Sequence, residues 1–220
     1  MKLDYLPLHF NLKGQTVLVV GGGDVAFRKV ELLIAAQANI RLVALEVSSQ
    51  LRELIGKKGV ITIGPYDSVL IEGVVLVISA TSNKSLNERV YSDATLAGIP
   101  VNVVDTPELC SVIFPGIVDR SPVIISVSTG GATPVLARYI KSLIDSVVPQ
   151  SIARLASYLK EKRQALKECF PDFNVRRKLM ESFLDSPGKA MAENNQFMGA
   201  DRYLFQENPF VQNWMQLNYW

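Results

Sequence analysis

The segment Gly21-Gly22-Gly23-Asp24-Val25-Ala26 fits the pattern G-x-G-x-x-[GA], and the chemistry of such a segment is backbone binding of an anion. Gly21 allows a tight turn, and Gly23 lets the backbone approach a pyrophosphate. Ala26 is small enough for a helix to lie close to the preceding strand. The helix N-terminus then offers free N–H groups and a partial positive charge to the phosphate. Alone the pattern is weak, since a plain strand-to-helix turn also uses glycine for positive φ. Its setting, after Thr16-Val-Leu-Val-Val20 and before a helical pattern, favours a dinucleotide. The usual partner is an acid at the end of the second strand, about 20 residues on. Glu46 stands there, after Leu42-Val-Ala-Leu45. A carboxylate in that place accepts both ribose hydroxyls of NAD and repels the 2′-phosphate of NADP, so NAD is the expected cofactor. An ordinary exposed loop glutamate is the alternative.

Two further strand ends point to the same crevice. Ala80-Thr81 ends a fourth strand, and Asp105 follows Asn102-Val-Val104. Ligands of open α/β sheets sit at the carboxyl ends of the strands. Asp105 is thus placed for acid–base chemistry, or is a turn-initiating Asp before Thr106-Pro107. The residues alone leave both readings standing. The expected cofactor-binding set is Gly21, Gly22, Gly23, Asp24, Val25, Leu45, Glu46 and Thr81. Ser126, Ser128, Thr129, Gly130 and Gly131 form a hydroxyl- and glycine-rich loop, either a second anion site or a flexible connection. Arg28, Lys29, Arg120 and Arg138 are sources of positive charge, each also readable as a surface residue.

The elements that must position these residues alternate. Strands are expected at 16–20, 40–45, 60–63, 74–80, 100–104 and 123–127. Helices are expected after Gly23, over 48–55, over 83–97 and from Pro134 to Val147. The first and fourth strands are apolar without alternation, as in strands buried on both faces. The βαβ order means parallel strands with crossover helices, a doubly wound Rossmann-like sheet over residues 1–148. Ile152, Leu155, Ala156, Leu159 and Leu166 recur at helical spacing, Pro171 breaks the run, and 175–184 starts another amphipathic helix. A small helical module follows the sheet, its apolar stripe a packing or dimer face. The segment 186–220 is rich in Pro, Gly, Asn and Gln. It also clusters Phe197, Tyr203, Phe205, Phe210, Trp214, Tyr219 and Trp220, which argues against a purely solvated tail.

Composition narrows the function classes. The 220 residues carry 23 Lys+Arg against 21 Asp+Glu, a formal +2, which does not mark a nucleic-acid binder. His9 is the single histidine and Cys110 and Cys169 are the two cysteines, too few for a His/Cys structural zinc site. A Ser-His-Asp hydrolase would have to use His9 as its base. A disulfide scaffold is not expected, and reduced thiols with no secretory signal or long apolar run read as a cytoplasmic protein away from membranes.

The ordered set of motifs resembles a known family. Tyr5-Leu-Pro-Leu, Val19-Val-Gly-Gly-Gly-Asp-Val-Ala with Arg28-Lys29, Ala80-Thr81 and Asn102-Val-Val-Asp105 come first. Phe114-Pro, Ile117-Val-Asp-Arg-Ser-Pro122, Ser128-Thr-Gly-Gly and Pro134-Val-Leu-Ala-Arg138 follow. They occur in this order in the N-terminal half of siroheme synthases, the precorrin-2 dehydrogenase and sirohydrochlorin ferrochelatase module. The likeness covers about residues 3–185.

The resemblance implies NAD-dependent oxidation of precorrin-2 to sirohydrochlorin, followed by insertion of Fe(II), a substrate, to give siroheme. It implies a homodimer with no permanent metal. The family's key carboxylate falls on Asp105, as general base in both steps. The substrate's eight carboxylates make Arg28, Arg120 and Arg138, with Ser128, Thr129 and Gly130, its expected binding set. The corresponding domains are 1–112 for the dinucleotide, 113–148 for dimerisation and completion of the sheet, and 149–185 for a helical domain. The tail 186–220 has no assigned role. Alternatives are a dehydrogenase that leaves chelation to another enzyme, and a non-catalytic NAD- or tetrapyrrole-binding module. No methyltransferase motifs follow, so a separate uroporphyrinogen methyltransferase is the expected source of precorrin-2. Relatives often read Ser-Ser-Gly-Gly where this chain has Ser128-Thr129-Gly130-Gly131, which bears on any regulation specific to serine at that place.

Overall fold

The computed structural model describes residues 4–208 and 212. Phe210, Trp214, Tyr219 and Trp220 lie outside the described residues. Two compact units result, one running to Phe114 and including Gly130–Ala132, the other built from Pro115–Thr129 and from Thr133 onward.

The first unit is an α/β sandwich around β1 (Thr16–Val20), β2 (Asn39–Ala44), β3 (Gly59–Ile63), β4 (Leu76–Ser79) and β5 (Val101–Val103). The strands lie in the order β3-β2-β1-β4-β5, all parallel. The helices are α1 (Asp24–Ala35), α2 (Ser49–Ile55) and α3 (Lys84–Leu96). The lack of alternation in β1 has a direct cause. Val17 and Val19 pack on one side with Val30 and Leu33 of α1 and Leu51 of α2. Leu18 and Val20 pack on the other with Val90 and Ala94 of α3. All four side chains are buried, each contributing roughly 1.5–3 kcal/mol. Strand order reverses at β1, which leaves a crevice at the carboxyl ends of β1 and β4. This is the expected Rossmann-like sheet.

The second unit departs from expectation at its start. The strand predicted at 123–127 exists as β7 (Val123–Val127), but it does not complete the parallel sheet. It pairs antiparallel with β6 (Gly116–Arg120), unforeseen as a strand, in a separate two-stranded sheet. α4 (Pro134–Val147) follows, lying on this hairpin. The chain continues through α5 (Ser151–Cys169), α6 (Phe173–Leu184), α7 (Pro187–Glu193) and α8 (Phe197–Phe205). Leu155, Leu166, Leu179, Phe183, Ala192 and Leu204 form one core. The described part of the tail is therefore helical and packed. Gly188 is essential to that packing, since a Cβ there would stand 2.5 Å from Tyr203 Cβ and 2.7 Å from the Phe183 ring. Among the described residues no helix is long and apolar enough to cross a membrane.

Candidate active site

Strand register brings the candidate residues together. Val20 pairs with Val43 on one side and Ser79 on the other, and Ser79 pairs with Val103. The residues just beyond these four positions share one edge of the sheet. They are Gly21, Leu45 and Glu46, Thr81, and Asp105.

The three glycines have three different reasons. Gly21 has φ +118°, and a Cβ there would stand 2.3 Å from the Ala80 carbonyl oxygen. A Cβ on Gly22 would stand 2.0 Å from the Glu46 carbonyl oxygen, and Ser48 N–H donates to Gly22 O at 3.2 Å. Close approach is thus made by Gly21 to β4 and by Gly22 to the end of β2. Gly23 is extended, at φ −93° and ψ −169°, and caps α1 without a side chain. A Cβ on it would meet nothing within 4 Å. The protein itself has no steric need for glycine at 23, whereas a ligand approaching the backbone does. The first N–H groups of α1, including those of Asp24 and Val25, have no carbonyl one turn earlier to donate to. The cradle therefore fits a dinucleotide pyrophosphate. Leu45 and Glu46 are exposed beyond β2, and the Glu46 backbone lies beside the glycine turn at Gly22.

Thr81 is fixed by groups that sequence reasoning missed. Asn87 Oδ1 accepts from Ser79 Oγ at 2.8 Å and from Thr81 Oγ1 at 2.7 Å, while Asn87 Nδ2 donates to Thr81 O at 3.1 Å. Ser79 and Asn87 are buried. The signal was present: Asn87 shares a helical stripe with Val90 and Ala94, where a core residue is due.

Asp105 is exposed and adopts φ +60°, a left-handed conformation that Asp tolerates better than most side chains. The turn around it is clasped by Cys110. Its Sγ accepts from Val103 N–H at 3.3 Å and lies 3.1 Å from Val103 O and 3.3 Å from Thr106 O as a donor. Burial pushes the Cys110 thiol pKa up. Lys29 of α1, noted in the sequence but left out of the expected site, belongs to this neighbourhood. Its Nζ stands 4.0 Å from the Phe114 ring centroid. Burial, then the Arg28 charge, lowers the Lys29 pKa, against the opposing pull of Asp105. Arg28 itself is exposed.

The remaining candidates belong to the other unit or its connecting loop. Arg120 has partners that the sequence does not show. It is 6 % exposed, its Nε donates to Val148 O, and its guanidinium also reaches Asp119 O, Asp145 O and the Asp145 carboxylate. These bonds tie β6 to the end of α4, so Arg120 holds the fold. Thr129 Oγ1 donates to Thr133 O at 3.1 Å and accepts from Thr133 N–H at 3.3 Å. It closes the loop in which Gly130 and Gly131 take positive φ. Ser128 and Arg138 are exposed. Among the described residues no cluster of His, Cys, Asp and Glu suits a resident metal.

The family model described as "Putative NAD(P)-binding" matches residues 8–116. The model described as "Sirohaem synthase dimerisation region" matches residues 151–207, which is α5–α8, whereas the sequence places dimerisation at 113–148. A siroheme synthase of Ectopseudomonas mendocina (strain ymp) is 50 % identical over 179 residues, 81 % of this chain and 38 % of that protein. One of Stutzerimonas stutzeri (strain A1501) is 43 % identical over 206 residues, 93 % of this chain and 44 % of that protein. The chain spans about two fifths of the length of these relatives. A solved structure named "SirC, precorrin-2 dehydrogenase" superposes with TM-score 0.71 over 88 % of this chain and 97 % of its own, at 23 % identity, a likeness of fold. With two family models in tandem and relatives of this identity along most of its length, the chain belongs to the siroheme synthase family.

Proposed function

We propose that the chain oxidises precorrin-2 to sirohydrochlorin with NAD, and then takes Fe(II) as a substrate to form siroheme. The observation that carries this reading is the shared edge of β1, β2, β4 and β5, with a glycine cradle at one place and an exposed residue, Asp105, at another. NAD, when bound, supplies the hydride acceptor. The α1 N–H groups hold the pyrophosphate, and Glu46 accepts from the ribose hydroxyls. Removal of hydride from the macrocycle leaves one proton to be taken, and the Asp105 carboxylate takes it. In chelation two pyrrole N–H protons leave as Fe(II) enters, and the same carboxylate accepts protons in turn. The clasped turn keeps that carboxylate in one place through both steps.

Asp105→Asn tests the role directly, because Asn tolerates the left-handed backbone as Asp does. Loss of a general base lowers kcat by about 10²- to 10⁴-fold, with the Kd for NAD unchanged. An Asp105→Asn protein with wild-type kcat overturns the assignment. Supplying sirohydrochlorin and Fe(II) without NAD separates the second step. Siroheme forming no faster than in buffer leaves the dehydrogenase alone.

We also propose a homodimer. Leu136, Tyr139, Leu143 and Val147 recur along one face of α4, and all four are exposed. A second copy of this chain covering that stripe fits its helical spacing, and the matched dimerisation region begins directly after it, at residue 151.

A further inference from the structure

We propose that Lys29 binds a carboxylate of the tetrapyrrole substrate beside Asp105. This rests on the dehydrogenase reading above and adds a substrate contact to it. Lys29 is half-buried on α1, and its ammonium lies over the Phe114 ring at 4.0 Å. The ring face offers attraction without neutralising the charge. Among the described residues no carboxylate makes an ion pair with Lys29 within 4.0 Å. A half-buried cation without a close ion pair gains from a ligand that brings a carboxylate. The Arg28 charge opposes the ammonium while Asp105 and Cys110 favour it, so Lys29 lies within electrostatic range of the Asp105 turn. Arg28, the next residue, is exposed and adds positive charge on the same helix. An octa-carboxylate macrocycle bound with its reacting carbon near Asp105 brings acidic side chains into that range. Phe114 fixes the ammonium's direction, which makes the contact a specific one.

The test uses the full chain, precorrin-2 and NAD. Lys29→Met keeps the length of the side chain and its contact with Phe114 while removing the charge; Lys29→Arg keeps the charge. Loss of one charge-assisted contact corresponds to a rise in KM for precorrin-2 of about 10- to 100-fold, with kcat and the Kd for NAD near wild type. Lys29→Arg recovers most of that affinity. An unchanged KM in Lys29→Met overturns the inference. So does a Kd for NAD that rises in step, which would make the cation a cofactor-phosphate partner. Equilibrium binding of sirohydrochlorin, followed by absorbance, separates the two claims. A wild-type chain without turnover contradicts the dehydrogenase reading, while a Lys29→Met protein that binds sirohydrochlorin as wild type contradicts the Lys29 assignment.

Discussion

Gly23→Ala separates ligand binding from folding more cleanly than any other change in the glycine turn. At Gly22 an added Cβ meets the Glu46 carbonyl at 2.0 Å, and at Gly21 it meets the Ala80 carbonyl at 2.3 Å. Backbone must move in both cases, an overpacking cost of about 1–3 kcal/mol, with strain added at Gly21 by its φ of +118°. At Gly23 the new methyl meets nothing within 4 Å, and φ −93° suits alanine. Restricting the unfolded chain stabilises by about 0.4–1 kcal/mol. Replacing a glycine N-cap by alanine costs a similar amount, about 0.5–1 kcal/mol. The two offset, so Gly23→Ala unfolds within about 1 kcal/mol of wild type, a few degrees in Tm. The methyl nevertheless stands where the pyrophosphate comes against the backbone. Isothermal titration with NAD should show Kd raised at least about tenfold, or 1.4 kcal/mol, while Gly22→Ala loses both stability and binding. A Gly23→Ala protein that binds NAD as tightly as wild type refutes the placement of the pyrophosphate.

Three further outcomes are expected. Arg120→Met removes a buried guanidinium from three carbonyls and the Asp145 carboxylate, and denaturant unfolding should register a loss of about 2–4 kcal/mol; an unchanged midpoint would return Arg120 to the surface. Leu143→Asp in α4 places a charge in the proposed dimer stripe, and light scattering on the eluted protein should give a monomer of normal helicity, against a dimer for wild type. Cys169, exposed, should be alkylated well before Cys110, whose pKa burial raises and whose thiolate fraction is therefore smaller at neutral pH; mass spectrometry of a timed iodoacetamide series gives the order.

The first unit was legible because its signals are local. β1 is apolar and buried on both faces from Val17 to Val20, and the glycine turn follows it directly. Asn87 was not read because its partners, Ser79 and Thr81, meet it only once α3 lies against β4. Lys29 was read as surface, since nothing in the sequence places Phe114 under its ammonium. Arg120 had the converse fate. A lone arginine before Ser121-Pro122 looks like an available cation until the return of α4 brings Asp145 and Val148 to it. The β6–β7 hairpin escaped for a similar reason. Val123–Val127 has burial that alternates only partly, and its antiparallel partner begins right after Pro115. In the tail, Ser186-Pro187 is a legible helix start, with Ser186 accepting from Gly188 N–H. The shortness of α7 and α8 hid what followed it.

The central claim is that this chain oxidises a tetrapyrrole with a bound nicotinamide. The most direct measurement is the absorbance change of freshly prepared precorrin-2 incubated with the purified protein, with and without NAD. The account predicts conversion to sirohydrochlorin with NAD, a rate proportional to protein, and none beyond the background oxidation without NAD. Equal rates in the two reactions, or no rate above background in either, would contradict it.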